Sequence, residues 1–320
     1  MRSVAISPQY GYTVHDSLVP GRTRGVERRT LGRDVGLSVR MAVAAILLAA
    51  LYLGILAGSV ALFLALPGRW PYWLIAAIAV LIWSASAHYR SAEALLLRSV
   101  GASRPQRHEA EDLHRRIERL AALAGVPAPG VAVVRSDVPN AFAVGLSPAR
   151  SVVAVTRGLE ARLTSAELDA VLAHELAHIA NRDAVVMTAA SVPRTLGTLL
   201  IGGEGSDLAA FLWLVLWPFG LPLIAAGTLI TMTISRYREF AADRGSALLT
   251  GAPEQLMSAL ERLSKDGRIP GEDLRLNGVE ALLIVPTRAR RFRWLEDHPP
   301  LGARLAALAE IARDLGKLGN

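Results

Sequence analysis

The sequence predicts a mainly α membrane protein, with four transmembrane helices and a mostly helical domain outside the bilayer that carries a small β-sheet. Three observations predict it. Hydrophobic residues make up 52% of the 320-residue chain, and the surplus sits in a few long blocks rather than spread through the sequence. The stretches between the blocks have helical periodicity, interrupted by three short β-branched runs. One helix-like stretch holds His174-Glu175-Leu176-Ala177-His178, an H-E-x-x-H motif.

Residues 1–39 lack periodicity and carry Arg22, Arg24, Arg28, Arg29 and Arg33. They read as a flexible, arginine-rich cytoplasmic tail facing anionic lipid. Residues 40–90 read as a transmembrane hairpin. Met41–Leu66 is uncharged over 26 residues, long enough to span with some tilt. Pro67-Gly68-Arg69 turns the chain, and Trp70–Ala87 returns, with Trp70, Tyr72 and Trp73 as an interfacial aromatic belt. The first block is too long for a signal-peptide core and is expected to be a retained anchor.

Residues 91–183 form the first part of the extramembrane domain. Gln106–Gly125 has helical spacing, with Leu113, Ile117, Leu120 and Leu123 on one side. Val131–Val134, Asn140–Val144 and Val152–Val155 read as strands. Thr164 followed by Glu167 is a capping box for the next helix, whose apolar face runs through Leu168, Val171, Leu172 and Leu176.

Residues 184–234 read as a second transmembrane hairpin. Leu208–Ile234 is uncharged over 27 residues and holds Pro218, Gly220 and Pro222, which allow a kink. Ala184–Gly203 is ambiguous by hydropathy, because it holds Pro193 and Arg194. Residues 235–320 form the second, mostly helical part of the domain. Arginines follow the spans on one side, at Arg90, Arg98, Arg104, Arg107, Arg236, Arg238 and Arg244, while the opposite loops hold Arg69, Glu204 and Asp207. The positive-inside rule therefore puts both termini and both extramembrane segments in the cytoplasm.

The net charge is +7, and only Lys265 and Lys317 are lysines. In a membrane protein this balance indicates loops facing anionic lipid, not nucleic acid. There is no cysteine, so disulfides and thiolate metal sites are excluded.

Histidines at i and i+4 lie on one helix face, so His174 and His178 can grip one metal ion, with Glu175 placed as a base for an activated water. Two histidines with an open position suit hydrolytic zinc better than structural zinc. A third ligand must come from elsewhere in the chain. Glu239, in Ser235-Arg236-Tyr237-Arg238-Glu239-Phe240-Ala241-Ala242-Asp243, is the best candidate. Asp243, four residues on, can fix the tautomer of His174 or His178. Glu239 and Asp243 repel at this spacing without a nearby cation. If Glu239 shares a metal with the histidines, an even number of membrane crossings separates them, so Ala184–Gly203 must cross with Leu208–Ile234 or form a re-entrant pair with it.

Several motifs coincide in order: Pro139-Asn140-Ala141-Phe142-Ala143, the block His174–Asp183 ending Asn181-Arg182-Asp183, a membrane hairpin, Ser235–Asp243, and His298-Pro299-Pro300-Leu301 with Arg304. In these the chain resembles the HtpX-type membrane zinc metalloproteases, relatives of the CAAX prenyl endopeptidases, over most of residues 40–315. The resemblance implies a zincin-type (gluzincin) protease domain facing the cytoplasm of a bacterial inner membrane. It also implies one Zn2+ per chain on His174, His178 and Glu239, Glu175 as base, and a role in protein quality control. The arginine-rich tail has no counterpart in the family pattern, and residues 270–297 match weakly.

The oxyanion donor is expected to be His298, with Tyr237 and Arg304 as further candidates, although His298 equally suits a structural turn before the last helix. Asn140, Ala141, Phe142 and Ala143 are expected to form an exposed edge strand that pairs with extended substrate. The expected partners are misfolded or membrane proteins and the lipid bilayer. Two other functions fit the same residues: a membrane adaptor or holdase with a relic zinc site, and a prenyl-protein processing protease.

Overall fold

The computed structural model describes residues 96–145, 147–201, 207–265 and 299–318, with scattered helical positions between 39 and 58. The tail and most of the expected first hairpin lie outside the described residues, as does His298.

The described chain is mostly helical, with one four-stranded sheet. Its strands are β1 (Ala102–Ser103), β2 (Gly130–Val134), β3 (Ala141–Val144) and β4 (Val152–Thr156), in spatial order β1-β2-β4-β3. The pair β2/β4 is parallel, with Gly130 opposite Val152, while β1/β2 and β3/β4 are antiparallel. Runs of Val and Ala suit the two central strands, which are covered on both faces. Val131, Val133, Val153 and Val155 face the main core, and Ala132, Val134, Val152 and Ala154 face a second cluster with Leu97, Val100 and Phe142. That split follows the two-residue period of a strand.

Helix α1 (Glu111–Ala124) packs Leu113, Ile117, Leu120 and Leu123 into the main core. It ends at Gly125, whose φ of 70° is left-handed and whose N–H reaches back to Ala121 and Ala122. A short α2 (Arg157–Arg162) follows β4. Helix α3 (Ser165–Ala180) is the centre of the domain, buried along most of its length. Its capping box forms as the sequence predicts: Thr164 N–H donates to Glu167 Oε2 at 2.8 Å, and Glu167 N–H donates to Thr164 Oγ1 at 3.3 Å.

After α3 come α4 (Asp183–Ile201), α5 (Asp207–Thr250), α6 (Pro253–Lys265) and α7 (Leu301–Leu318). Glu167 also accepts from Ser258 Oγ at 2.6 Å, which ties α6 to the start of α3. Helices α4 and α5 pack antiparallel and close. A Cβ on Gly197 would lie 2.7 Å from Gly220 O, and one on Gly227 would lie 2.5 Å from Arg194 N. Thr231 Oγ1 shares its proton between Gly227 O at 2.7 Å in its own helix and Ala190 O at 3.1 Å across the pair. Small residues and an interhelical hydroxyl bond are how helices approach in the absence of large side chains between them.

Among the described residues, no helix is long and apolar enough to cross a membrane. The expected boundary between residues 184–234 and 235–320 falls inside one helix. Helix α5 runs unbroken from Asp207 to Thr250 and delivers both Glu239 and Asp243. The reason is local: Ser235–Thr250 holds no proline and only one glycine, so nothing ends the helix.

Candidate metal centre

Helix α3 presents His174 and His178 on one face towards α5. Their Nε2 atoms lie 3.1 Å apart, with the rings nearly perpendicular at 88°. Glu239 on α5 places Oε2 3.6 Å from His174 Nε2 and Oε1 3.6 Å from His178 Nε2. One ligand atom from each of the three residues can be chosen so that all lie within 4.8 Å of one another. Two imidazole nitrogens bound tetrahedrally at zinc-like distances stand about 3.3 Å apart, so the donor set fits a divalent ion. All three residues are buried or nearly so, which makes an oxygen and nitrogen cage costly to leave without a cation.

A carboxylate stands against the Nδ1 of each ligand histidine. Asp243 Oδ1 lies 3.1 Å from His174 Nδ1, one turn along α5 from Glu239. His178 Nδ1–H donates to Asp183 Oδ2 at 2.6 Å. Each carboxylate is in turn held by an arginine. Arg304 of α7 donates to both oxygens of Asp243, from Nε at 2.8 Å and Nη2 at 2.6 Å, and its Nη1 lies 3.3 Å from Glu239 Oε2. Arg238 Nε lies 3.0 Å from Asp183 Oδ2. Arg304 is 2% exposed.

These charges set the protonation states. Burial lowers the pKa of His174, but the Asp243 and Glu239 carboxylates outweigh it and raise the group to about 9 in the metal-free site. Burial pushes Asp243 up, and Arg304 and His174 together bring it below the ordinary carboxylate value. Glu175 is raised: burial dominates, with Glu239 adding to it, against the histidines and an N–H from Ala143. A carboxyl lifted in this way is suited to moving a proton near neutral pH.

The Ala143 contact fixes the relation of β3 to the site. Strand β3 is the sheet edge and lies alongside α3. Thr156 N–H donates to Asn140 O at 2.9 Å, so residues 140, 142 and 144 pair with β4. By antiparallel alternation, the backbone groups of Ala141 and Ala143 point away from β4, and the Ala143 N–H meets Glu175 there. Strand β3 is an edge of the described sheet, and most of its side chains turn inward. Asn140, Ala141 and Phe142 are buried in the domain, and only Ala143 is half-exposed.

The structure brings His174, Glu175, His178, Glu239 and Asp243 together. His298 lies outside the described residues, and Tyr237 is half-buried on α5. Arg304, a candidate oxyanion donor in the sequence, is committed to Asp243 and Glu239. Asp183 and Arg238 were missed as bracing groups. The signal was the tripeptide Asn181-Arg182-Asp183, but the turn that aims Asp183 is not readable from spacing.

A helix offering two histidines and a carboxylate, with a glutamate from a second helix beside them, defines a metal-dependent hydrolase. Comparison narrows the class. The model of peptidase family M48 matches residues 107–312. The chain is 41% identical to the Protease HtpX homolog of Moorella thermoacetica, over 90% of this chain and 98% of that protein. It is 37% identical to Protease HtpX homolog 1 of Streptomyces coelicolor, over 89% and 95%. The crystal structure of S. mikatae Ste24p shares the fold, with a TM-score of 0.52 at 21% identity over 86% of this chain and 67% of that one. The chain belongs to peptidase family M48, and is a metal-dependent protease of that family.

Proposed function

We propose that this protease is a membrane-embedded zinc endopeptidase that cleaves misfolded or membrane proteins at the cytoplasmic face of a bacterial inner membrane. The observation that carries the reading is the convergence of His174, His178 and Glu239 beside Glu175. Two histidines with one carboxylate favour zinc among the hydrolytic metals. When bound, one ion per chain supplies Lewis acidity and a nucleophilic water at neutral pH.

The chain's own groups do the rest. Glu175 takes the proton from the attacking water and returns it to the leaving amine. The edge groups of Ala141 and the carbonyl of Ala143 pair with an extended substrate backbone, the Ala143 N–H being taken by Glu175, while Asn140 and Phe142 hold the strand from behind. Such pairing reads backbone more than side chains, which suits loosely specific clearance. His298 donates to the oxygen on which charge develops. The chain runs from it through Pro299 and Pro300 into α7, whose Arg304 touches Glu239.

Four spans in two hairpins, within residues 40–90 and 184–234, place this site at the membrane surface. The uncharged blocks support the spans, as do the exposed Val43, Ile46, Leu47 and Leu53 and the exposed Val185, Leu221 and Leu229 on α4 and α5. The antiparallel α4–α5 pair supports an even number of crossings between His178 and Glu239. Arginines flanking the blocks favour the cytoplasmic side. Residues 91–183 and 235–320 then build one protease domain from two chain segments.

Casein cleavage by the detergent-purified protein tests the activity. Chelation should abolish it and zinc should restore it. Cleavage that persists through chelation would refute the zinc reading.

A further inference from the structure

Resting on the metal reading above, we propose that Asp183 is a positioning residue for His178, aimed by a left-handed turn at Arg182 and anchored by Arg238. In this arrangement the packing of α4 and α5 against α3 sets the metal affinity of the site.

Asp183 follows His178 by five residues. In an unbroken helix it would lie about 140° around the axis from His178 and could not meet its ring. Helix α3 instead ends at Ala180, and Arg182 adopts a φ of 55°, the one non-glycine residue with positive φ among the described residues. Side chains other than Gly, Asn and Asp seldom adopt this conformation, and such turns concentrate at functional sites. The turn is closed by Arg182 N–H to Ile179 O at 3.1 Å and Val185 N–H to Arg182 O at 3.0 Å. It starts α4 with Asp183 facing back to α3.

One oxygen of Asp183, Oδ2, then accepts from His178 at 2.6 Å and meets Arg238 at 3.0 Å. Arg238 directly precedes Glu239 on α5. A single buried carboxylate thus joins the helix carrying the histidines, the first residue of α4 and the helix carrying the third ligand. With its Nδ1–H engaged, His178 keeps the Nε2 lone pair for the metal. An ion pair serving only to clip α5 to α4 would not need the His178 contact.

The test measures zinc affinity of the full chain in detergent, by competition with a chromophoric chelator, together with the visible spectrum of the cobalt(II)-loaded protein. Asp183→Ala should weaken zinc by about 10–100-fold, the range for groups bracing a ligand histidine, and shift the cobalt bands. Asp183→Asn keeps the shape and an acceptor, and should weaken zinc by about tenfold. Arg182→Gly, which enters the left-handed region freely, should bind zinc as the wild type does. Arg182→Val should behave like Asp183→Ala.

Wild-type affinity and an unchanged cobalt spectrum in Asp183→Asn and Asp183→Ala would overturn the proposal. If Asp183→Ala does not fold, Asp183→Asn decides alone. A wild-type chain that binds no zinc would overturn both this role and the metal reading beneath it, so the two failures are distinguishable.

Discussion

Gly245 of α5 faces Ala177 of α3, next to His178, and a Cβ built on Gly245 would lie 2.6 Å from the Cβ of Ala177. Ordinary carbon contacts begin near 3.5 Å, so Gly245→Ala must part the two helices by about 1 Å. Glu239 lies six residues earlier on α5, about 9 Å along the helix, and moves with it. Metal–ligand distances tolerate only about 0.2 Å, so the substitution should cost metal affinity as well as stability. Two terms compete in stability. Alanine in place of glycine favours the helix by about 1 kcal/mol, and overpacking costs about 1–3 kcal/mol. The single variant should be destabilised by up to about 2 kcal/mol.

The second variant removes the ambiguity. Ala177→Gly alone loses helix propensity, about 1 kcal/mol, but clears the space. The double variant exchanges the methyl between helices and should regain near wild-type stability and zinc affinity. The cycle therefore predicts a coupling of about 1–3 kcal/mol in favour of the double variant. Denaturant unfolding of the four proteins, with zinc affinity measured in parallel, gives the coupling directly. Additive effects would refute the claim that close approach of α3 and α5 at this pair sets the site.

Two further outcomes follow from the charges. In the metal-free protein His174 has a folded pKa of about 9 against an ordinary 6.5, so its contribution is complete below pH 6.5 and is lost as pH rises through 9. The span corresponds to about 3 kcal/mol, read as falling stability of the apo protein between these pH values. Zinc affinity should rise over the same range, because the metal displaces the proton; a pH-independent affinity would contradict this. Arg304→Met takes from buried Asp243 the stronger of its two cations, leaving protonated His174 in the metal-free protein, and should destabilise the fold by about 3 kcal/mol, with Asp243→Asn recovering part of the loss in the double variant. Thermal unfolding of the three proteins checks it, and an Arg304→Met variant as stable as the wild type would show that the pair is not what secures α7.

What the sequence revealed was local. The i, i+4 histidines, the Thr164–Glu167 capping box and the β-branched runs of β2 and β4 each announce themselves within one element. Glu239 was legible because an acidic pair at that helical spacing needs a cation. What stayed hidden depended on long-range geometry. Arg304 reads as an available donor until α7 is seen to bury it against Asp243. Asp183 reads as the end of a motif until Arg182 turns the chain. The burial of Ala141 follows from β3 lying against α3, and that of Phe142 from the second cluster with Leu97 and Val100 on the other face, which the strand pattern alone does not predict.

The most direct test of the central claim compares casein cleavage by the wild type and by Glu175→Gln at equal, stoichiometric zinc. The account predicts cleavage by the wild type alone, with zinc retained in both, since Glu175 moves the proton and does not hold the metal. Equal cleavage by the two proteins would contradict it.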